Sequence, residues 1–194
     1  MRKVHLHVKN VEERSLVSSK PSFLADAMLG SIARKLRIFG FDTLYAAHTH
    51  DDEILKIGIA ENRIILTCDK ELFKRTLKKE AQSVLLQGSD DLKDIVHILS
   101  KCGIASLLFH TIDSRCVICN GLLIRKRPSD VKKDVHSNVL KLHKQFFKCS
   151  DCKKIYWKGS HLTHIQQTVK LINEIMRQII EGQFNPPIKE GGGR

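Results

Sequence analysis

Acidic side chains recur after apolar segments in this chain, at the points where predicted strands end. They are Asp26, Asp52 with Glu53, Asp69 and Asp91. Any one of them alone is an ordinary helix N-cap residue. Carboxylates gathered at one edge repel each other unless a cation lies between them. Oxygen ligands select hard ions such as Mg²⁺ or Mn²⁺, which clamp a phosphodiester and activate a water, so this repetition predicts an acidic metal site.

Two pairs of cysteines have the spacing of metal-binding knuckles. Cys116 and Cys119 lie in "CVIC", and Cys149 and Cys152 lie in "CSDC". Two such pairs about 30 residues apart are typical of a four-thiolate zinc ribbon. Disulfides are the alternative, but nothing in the sequence indicates secretion. We therefore expect a structural zinc ion that stabilises a module too small to have its own core.

Aromatic and basic residues follow the second cysteine pair in "KKIYWKGSH". Trp157 lies among Lys153, Lys154 and Lys158, and such a group can stack on unpaired bases while its cations contact phosphates. The alternative is that Trp157 simply packs on the ribbon. His161 could bond a phosphate or only close the loop.

The charge of the chain is uneven along its length. The formal net charge is +12, and residues 1–110 hold 17 Lys/Arg and 14 Asp/Glu of the totals of 33 and 21, which leaves 16 and 7 for residues 111–194. A nearly balanced half with acidic clusters joined to a basic half suits a cation-dependent site beside a polyanion-binding module. The alternative is a basic surface that is only solvated.

Composition also bounds the class of protein. A hydrophobic share of 42% is enough for a core and excludes disorder throughout the chain. No apolar run is long enough to cross a bilayer, and the first residues lack the apolar segment of a signal peptide. We therefore expect a cytoplasmic protein with no membrane partner, whose oligomeric state the sequence does not predict.

Strands and helices must alternate to position these residues. The predicted strands "SFLA", "DTLYAA", "RIILT" and "SVLLQG" are each followed by a helical pattern. This alternation predicts parallel strands with crossover helices, an α/β sandwich. The active sites of open parallel sheets lie at the carboxyl ends of the strands, where the acidic residues fall. A further helix is predicted over residues 163–181, with an apolar stripe that packs on a domain.

Several of these segments resemble a known family. The segments "FLADAMLGSIARKLRIFGFDT", "DDEIL", "RIILTCDKEL", "CVICNGLL" and "FKCSDCKKIYWKGSH" are similar, in order and spacing, to the PIN-like ribonuclease domain with a C-terminal zinc ribbon. This domain lies at the C-terminus of Mut-seven exoribonucleases and also occurs as a stand-alone archaeal and bacterial protein. The resemblance covers about residues 22–165.

The resemblance implies a fold and a division of the chain. The fold is a PIN-like parallel sheet flanked by helices, followed by a small zinc ribbon and a C-terminal helix. We assign residues 1–21 to an N-terminal arm, 22–110 to the PIN-like nuclease domain, 111–161 to the zinc ribbon, and 162–194 to the C-terminal helix and tail.

The resemblance also implies a metal-dependent ribonuclease that hydrolyses RNA phosphodiester bonds. Asp26, Asp52 and Asp69 would bind Mg²⁺ or Mn²⁺, with Glu53 or Asp91 assisting. A metal-bound water would then attack the phosphodiester in line. The basic zinc ribbon would bind the RNA.

Two arginines match the family's "ARxLR" helix, and two positions depart from the family pattern. Arg34 and Arg37 are expected to face RNA phosphates. Cys68 stands where the family usually has arginine, and Lys35 stands where it usually has an aromatic residue. The missing arginine would weaken a substrate contact or change the environment of Asp69.

Other functions stay open at this point. The chain could be a non-catalytic RNA-binding or ribosome-associated module, in which the acidic edge is structural. The pairing of a PIN-like domain with a zinc ribbon also resembles a ribosomal-RNA maturation endonuclease, so the RNA could be ribosomal or pre-ribosomal. A transition-metal site at His48, His50 and Asp51 is the least expected reading.

Overall fold

The fold is given by a computed structural model that describes residues 20–182. Most of the predicted N-terminal arm, and the tail after residue 182, lie outside these residues. Four parallel strands form one sheet, in the order β2-β1-β3-β4. Their bounds are β1 Phe23–Asp26, β2 Thr43–Ala46, β3 Ile64–Thr67 and β4 Ser83–Leu85. Phe23 lies opposite both Thr43 and Ile64, so the neighbouring strands start level and their carboxyl ends share one edge.

Helices connect the strands and cover both faces of the sheet. They are α1 Gly30–Ile38, α2 Asp51–Ala60, α3 Lys70–Lys78 and α4 Asp91–Lys101. Successive side chains of a strand point to opposite faces, so Phe23 and Ala25 pack with α1 and α4, while Leu24 packs with α2 and α3. Strands buried on both faces are continuous apolar runs. The predicted α/β sandwich with a parallel sheet is confirmed.

The strand order reverses between β1 and β3. The chain passes from β1 to β2 on one side and then returns to place β3 on the other side. The helices that leave β1 and β3 therefore cover opposite faces and leave a crevice outside the carboxyl ends of these two strands. Asp26 is the last residue of β1, and Asp69 follows β3. Both acids lie at this crevice.

A second, antiparallel sheet holds the cysteine pairs. Its strands are β5 Leu123–Lys126, β6 Phe146–Cys149 and β7 Ile155–Trp157, in the order β5-β6-β7. Two short helices that the sequence did not predict, α5 Pro128–Val131 and α6 Ser137–Leu142, lie between β5 and β6. Helices of one or two turns are too short to produce a periodic apolar pattern.

The last helix, α7 His161–Ile180, returns from the ribbon to the four-stranded domain. It packs against α4, and Val169, Ile172 and Met176 are buried in the same core as α1. The amide of Asn173 accepts the Leu107 N–H at 2.7 Å and donates to the Leu107 carbonyl at 3.1 Å. The predicted C-terminal helix is confirmed. Within residues 20–182, no helix is both long and apolar enough to span a bilayer.

Candidate active site and zinc centre

Asp26 ends β1 inside the crevice and is only 6% exposed. One carboxylate oxygen accepts the Met28 N–H at 3.0 Å, so Asp26 caps the short 3-10 turn that follows the strand. The other oxygen accepts the hydroxyl of Thr67. Within residues 20–182, none of the ion pairs to Lys, Arg or His includes Asp26. A buried carboxylate held only by neutral donors favours a cation beside it.

Thr67, the last residue of β3, joins two of the predicted acids. Its hydroxyl donates to Asp26 and accepts the backbone N–H of Asp69 at 2.9 Å. Asp69 caps α3, because one of its oxygens accepts the N–H groups of Glu71 at 2.6 Å and Leu72 at 3.1 Å. The sequence analysis missed Thr67, although its place in "LTCD", two residues before the acid, is where a hydroxyl can reach that acid's backbone N–H.

Asp52 lies in the first turn of α2 and pairs with a basic side chain. Its carboxylate is 91% exposed and contacts the guanidinium of Arg75 on α3. The same guanidinium reaches Asp51 at 3.1 Å. Glu53 is exposed beside Asp52 and has no side-chain partner among the described residues. The acids after β2 are therefore partly neutralised by an arginine.

Asp91 is the first residue of α4, and side chains of α1 contact its carboxylate. It accepts hydrogen bonds from the Lys35 ammonium and the Ser31 hydroxyl. Burial raises the pKa of Asp91, but these hydrogen bonds and the charges of Lys35 and Arg34 outweigh burial and hold the pKa below its usual value. Lys35, one of the two departures from the family pattern, therefore supplies the positive charge that Asp91 contacts.

The predicted acids do not all converge. Among residues 20–182, the four cysteines are the one group of three or more His, Cys, Asp or Glu side chains whose ligand atoms lie close enough to share an ion. Asp26 and Asp69 are joined through Thr67, whereas Asp52 pairs with Arg75. A three-carboxylate cage is thus not assembled. Mg²⁺ needs less, because it keeps several waters and uses one or two carboxylates together with substrate phosphates. The carboxylate oxygens of Asp26 and Asp69 are the type of ligand that such an ion takes.

A further acid at this edge was not predicted. Asp94 of α4 is 4% exposed, and its two oxygens accept the N–H groups of Gln87 at 3.2 Å and Gly88 at 2.9 Å. It thereby fixes the loop that leaves β4. The sequence contained a sign of this burial. Asp94 lies within the apolar stripe of α4, directly before Ile95, so its side chain is expected to be buried.

Cys68 lies between two of these acids. Burial, together with the negative charges of Asp26 and Asp94, raises the pKa of the Cys68 thiol to about 11. The thiol is therefore neutral at pH 7. The position at which the resemblance implies an arginine therefore carries no charge in this chain.

The four cysteines form one cluster, as their spacing in the sequence predicts. Their sulfur atoms all lie within 4.8 Å of one another. The Cys116 and Cys152 sulfurs are 3.5 Å apart, and those of Cys119 and Cys149 are 3.4 Å apart, while no disulfide joins any of them. Tetrahedral zinc with Zn–S bonds of about 2.3 Å places its sulfurs roughly 3.8 Å apart. The cluster fits zinc, and the alternative of disulfides does not hold.

Two features around the cluster suit metal binding. The residues that follow each cysteine pair, Asn120 and Lys153, have positive φ values of 69° and 63°, which turns the backbone tightly after the second cysteine. The Tyr156 hydroxyl lies 3.1 Å from the Cys116 sulfur. Burial raises the pKa of Cys116, but the Tyr156 hydrogen bond and backbone N–H groups outweigh burial and lower it to about 6. A thiolate is the form that binds zinc.

Comparison with known families identifies this arrangement of crevice and cysteine cluster. The family model described as the Mut7-C RNAse domain matches residues 21–169. The chain belongs to the Mut7-C RNAse domain family. Its function is therefore related to that of a ribonuclease, with RNA as the implied substrate. No curated protein and no solved structure matches the chain. The match includes both strand ends of the crevice and both cysteine pairs.

Arg37 of this Mut7-C domain does not face solvent. It is 5% exposed, and its guanidinium donates to the carbonyls of Thr43 at 2.9 Å, Val117 at 2.9 Å and Ile118 at 3.2 Å. Val117 and Ile118 lie between the two cysteines of the first pair, so Arg37 binds α1 to this knuckle. The prediction that Arg37 contacts RNA does not fit this placement. Arg34, on the same helix, is exposed.

Asp42 makes a second set of contacts to the ribbon. One oxygen accepts from Arg63 at 2.7 Å and from Asn120 at 2.8 Å, and the other lies 3.4 Å from Arg115. Burial raises the pKa of Asp42, but these donors and charges outweigh burial and lower it. We call the contacts of Arg37 and Asp42 with residues 115–120, around the first cysteine pair, the knuckle mount. Since Asp42 directly precedes β2, the mount lies at the amino edge of the sheet, opposite the crevice.

Replacing Arg37 by methionine is expected to lower the free energy of unfolding by about 3 kcal/mol, because the buried carbonyl of Thr43 and the partly buried carbonyls of Val117 and Ile118 lose their donor. Zinc affinity should fall as well, since two of these carbonyls belong to the knuckle. Denaturant unfolding and competition with a chromogenic chelator measure the two effects. Arg34→Met is the matched control and should change stability by less than about 0.5 kcal/mol. Equal effects of the two substitutions would contradict the assigned role.

The residues predicted to bind RNA from the ribbon lie at its surface. They are Lys153, Lys154, Trp157, Lys158 and His161, all of them exposed. The Trp157 ring lies 6.2 Å from the His143 ring, measured between centroids and at an interplanar angle of 33°. Trp157 is therefore not part of a ribbon core, and its contact with RNA stays a prediction.

Proposed function

We propose that this protein is a metal-dependent ribonuclease that hydrolyses RNA phosphodiester bonds at the crevice, and that its basic zinc ribbon binds the RNA. The observation that carries the proposal is the buried carboxylate of Asp26, which lies where the strand order reverses and which, among residues 20–182, accepts hydrogen bonds from neutral donors alone. Ligand sites of open α/β sheets lie at this point. Membership of the Mut7-C RNAse domain family supports the same reaction class.

Asp26 and Asp69 would hold one hard divalent ion, Mg²⁺ or Mn²⁺. Such an ion supplies Lewis-acid polarisation of the phosphodiester and a nucleophilic hydroxide at neutral pH. Asp52 and Asp91 would have to exchange their basic partners for the metal or the substrate before they could assist. Glu53 is exposed beside Asp52 and would act through water or through the phosphate.

The chain's own contribution is to fix these carboxylates before substrate binds. Thr67 orients Asp26 through its hydroxyl. The Tyr45 hydroxyl donates to the Ala27 carbonyl at 2.8 Å and so holds the turn that follows Asp26. The same ring lies on the backbone of Gly30, where an added Cβ would approach the hydroxyl to 2.9 Å. A preorganised site spends less free energy on rearrangement during the reaction.

A non-catalytic RNA-binding module is the second candidate. Two features favour it: three carboxylates do not converge at the crevice, and the neutral Cys68 stands where the family has arginine. Under this hypothesis the acids serve only as helix caps and ion-pair partners, and the ribbon alone binds RNA.

Cleavage of end-labelled RNA with controlled metal content separates the two candidates. Dialysis into metal-free buffer is preferable to EDTA, because a strong chelator would also take zinc from the four cysteines. We expect cleavage only after Mn²⁺ or Mg²⁺ is added back, with the measured zinc content unchanged. RNA binding without cleavage under every metal condition would favour the second candidate. The ladder of products also separates internal cutting from cutting at an end.

A further inference from the structure

An open groove lies on the ribbon between the segment of α5 and α6 and the hairpin of β6 and β7. Its volume is about 460 Å³, within the usual range of roughly 300–1,000 Å³ for small-ligand sites. Its walls combine two kinds of side chain: the apolar Val139, Ile155 and Trp157, and the basic Lys148, Lys153 and Lys154.

The apolar part of the groove contains a flat aromatic surface. Trp157 is 43% exposed, while Phe146, its cross-strand partner on β6, is fully buried. The ribbon therefore has a buried aromatic residue of its own and leaves the indole in contact with water. The nearby ring of His143 is tilted by only 33° from the indole. An exposed indole of this kind suits the flat face of an unpaired base.

The charged part of the groove favours an anion. Lys148 pairs with Asp134 at 3.0 Å, and Asp134 is the one acid among the described residues that lines the groove. Lys153 contacts the carbonyl of Ser150. Lys154 has no side-chain partner among the described residues. Three ammonium groups against one carboxylate leave the groove positive, so phosphate groups beside the indole would offset this charge.

We propose that this groove is a base-recognition subsite for one unpaired nucleotide of single-stranded RNA. The base stacks on the indole of Trp157, and its phosphates contact Lys148 and Lys154. The proposal rests on the proposed RNA binding of the ribbon, but not on catalysis.

The chain has a single tryptophan, so the fluorescence of the intact protein reports on this groove directly. The zinc-loaded protein is titrated without Mg²⁺ or Mn²⁺ with a short oligoadenylate, a short oligouridylate and inorganic polyphosphate. We expect saturable quenching by both oligonucleotides and none by polyphosphate, because only a base stacks on the ring. Equal quenching by polyphosphate, or no quenching by either oligonucleotide, would overturn the proposal.

Variants test the same site through the anisotropy of a labelled oligonucleotide. Trp157→Ala should weaken binding by about 10- to 100-fold, as expected for loss of one stacked base. Trp157→Phe keeps a ring and should retain most of the affinity, and Ile124→Ala, which removes an exposed apolar residue outside the groove, should not change it. Zinc content shows whether each variant folds. Unchanged affinity of a folded Trp157→Ala would remove the subsite.

The two proposals fail in different ways. Fluorescence quenching without metal-dependent cleavage would reject the ribonuclease and keep the subsite. If Trp157→Ala cleaves RNA and binds it with unchanged affinity, the subsite is rejected and the ribonuclease is kept. Lys154→Ala tests the phosphate contact separately. If this lysine contacts a phosphate, the slope of log affinity against log salt should decrease by about one.

Discussion

Replacing Asp26 by asparagine is expected to reduce the rate of RNA cleavage by about 10³-fold or more. Asparagine keeps the size of the side chain and one oxygen acceptor for the Met28 N–H, but it loses the negative charge. Metal-ion assistance is worth several kcal/mol, and each 1.36 kcal/mol changes the rate about tenfold. RNA affinity should stay within about two-fold, because phosphate contacts to basic residues dominate binding. Single-turnover cleavage and equilibrium binding of the same labelled RNA measure both quantities.

A matched substitution controls for a general effect of removing an acid. Asp113 is exposed, lies outside the crevice and has no side-chain partner among residues 20–182. Asp113→Asn should leave cleavage within about two-fold of the unmodified protein. Thermal unfolding of the Asp26 variant should show no loss of stability, since a buried charge has been removed. Full cleavage activity in Asp26→Asn would reject the crevice as the active site.

Removal of zinc is expected to unfold the ribbon and to destabilise the parallel sheet domain as well. Structural zinc sites contribute about 10–16 kcal/mol of apparent binding free energy. The ribbon has few buried apolar residues to replace that contribution, among them Val131, Phe146 and Phe147. Once the first knuckle unfolds, the buried Arg37 loses two of its three carbonyl acceptors. The loss therefore reaches α1 and the start of β2.

Hydrogen exchange with and without a chelator measures this spread. Protection should fall in β5 to β7 and also around Arg37 and Thr43. Cys149→Ser should abolish stoichiometric zinc binding, whereas Cys102→Ser should not, because Cys102 is a half-buried thiol whose pKa is raised by burial and which is not part of the cluster. A parallel sheet domain that melts at the same temperature with and without zinc would contradict the coupling.

Much of the fold follows from local sequence patterns. Apolar runs of four or five residues, each followed by a helical pattern, determine the parallel strands, and their ends place Asp26 and Asp69 at one edge. Cysteine spacing was sufficient for the cluster, because two short knuckles leave little freedom in which sulfurs meet.

Partners distant in sequence could not be predicted in this way. Arg37 and Val117 are 80 residues apart, and no periodicity connects them. An arginine on a helix was therefore read as a surface residue, although tertiary packing buries it. The partner of Asp91 on α1 is 56 residues away and was missed for the same reason. Local patterns locate acids at strand ends, but they do not reveal which acids are already paired.

The position of α7 has a consequence for how the protein is made. Val169, Ile172 and Met176 belong to the same core as α1 and α4, but the ribosome adds them after the whole ribbon. The nascent sheet domain must therefore expose the apolar surface of α4 until the last helix emerges, and such surfaces favour aggregation and chaperone binding. A ribbon already folded around zinc shortens the flexible connection between α4 and α7, which lowers the entropy cost of closing the core. Zinc bound during translation thereby favours the docking of α7 once this helix has emerged.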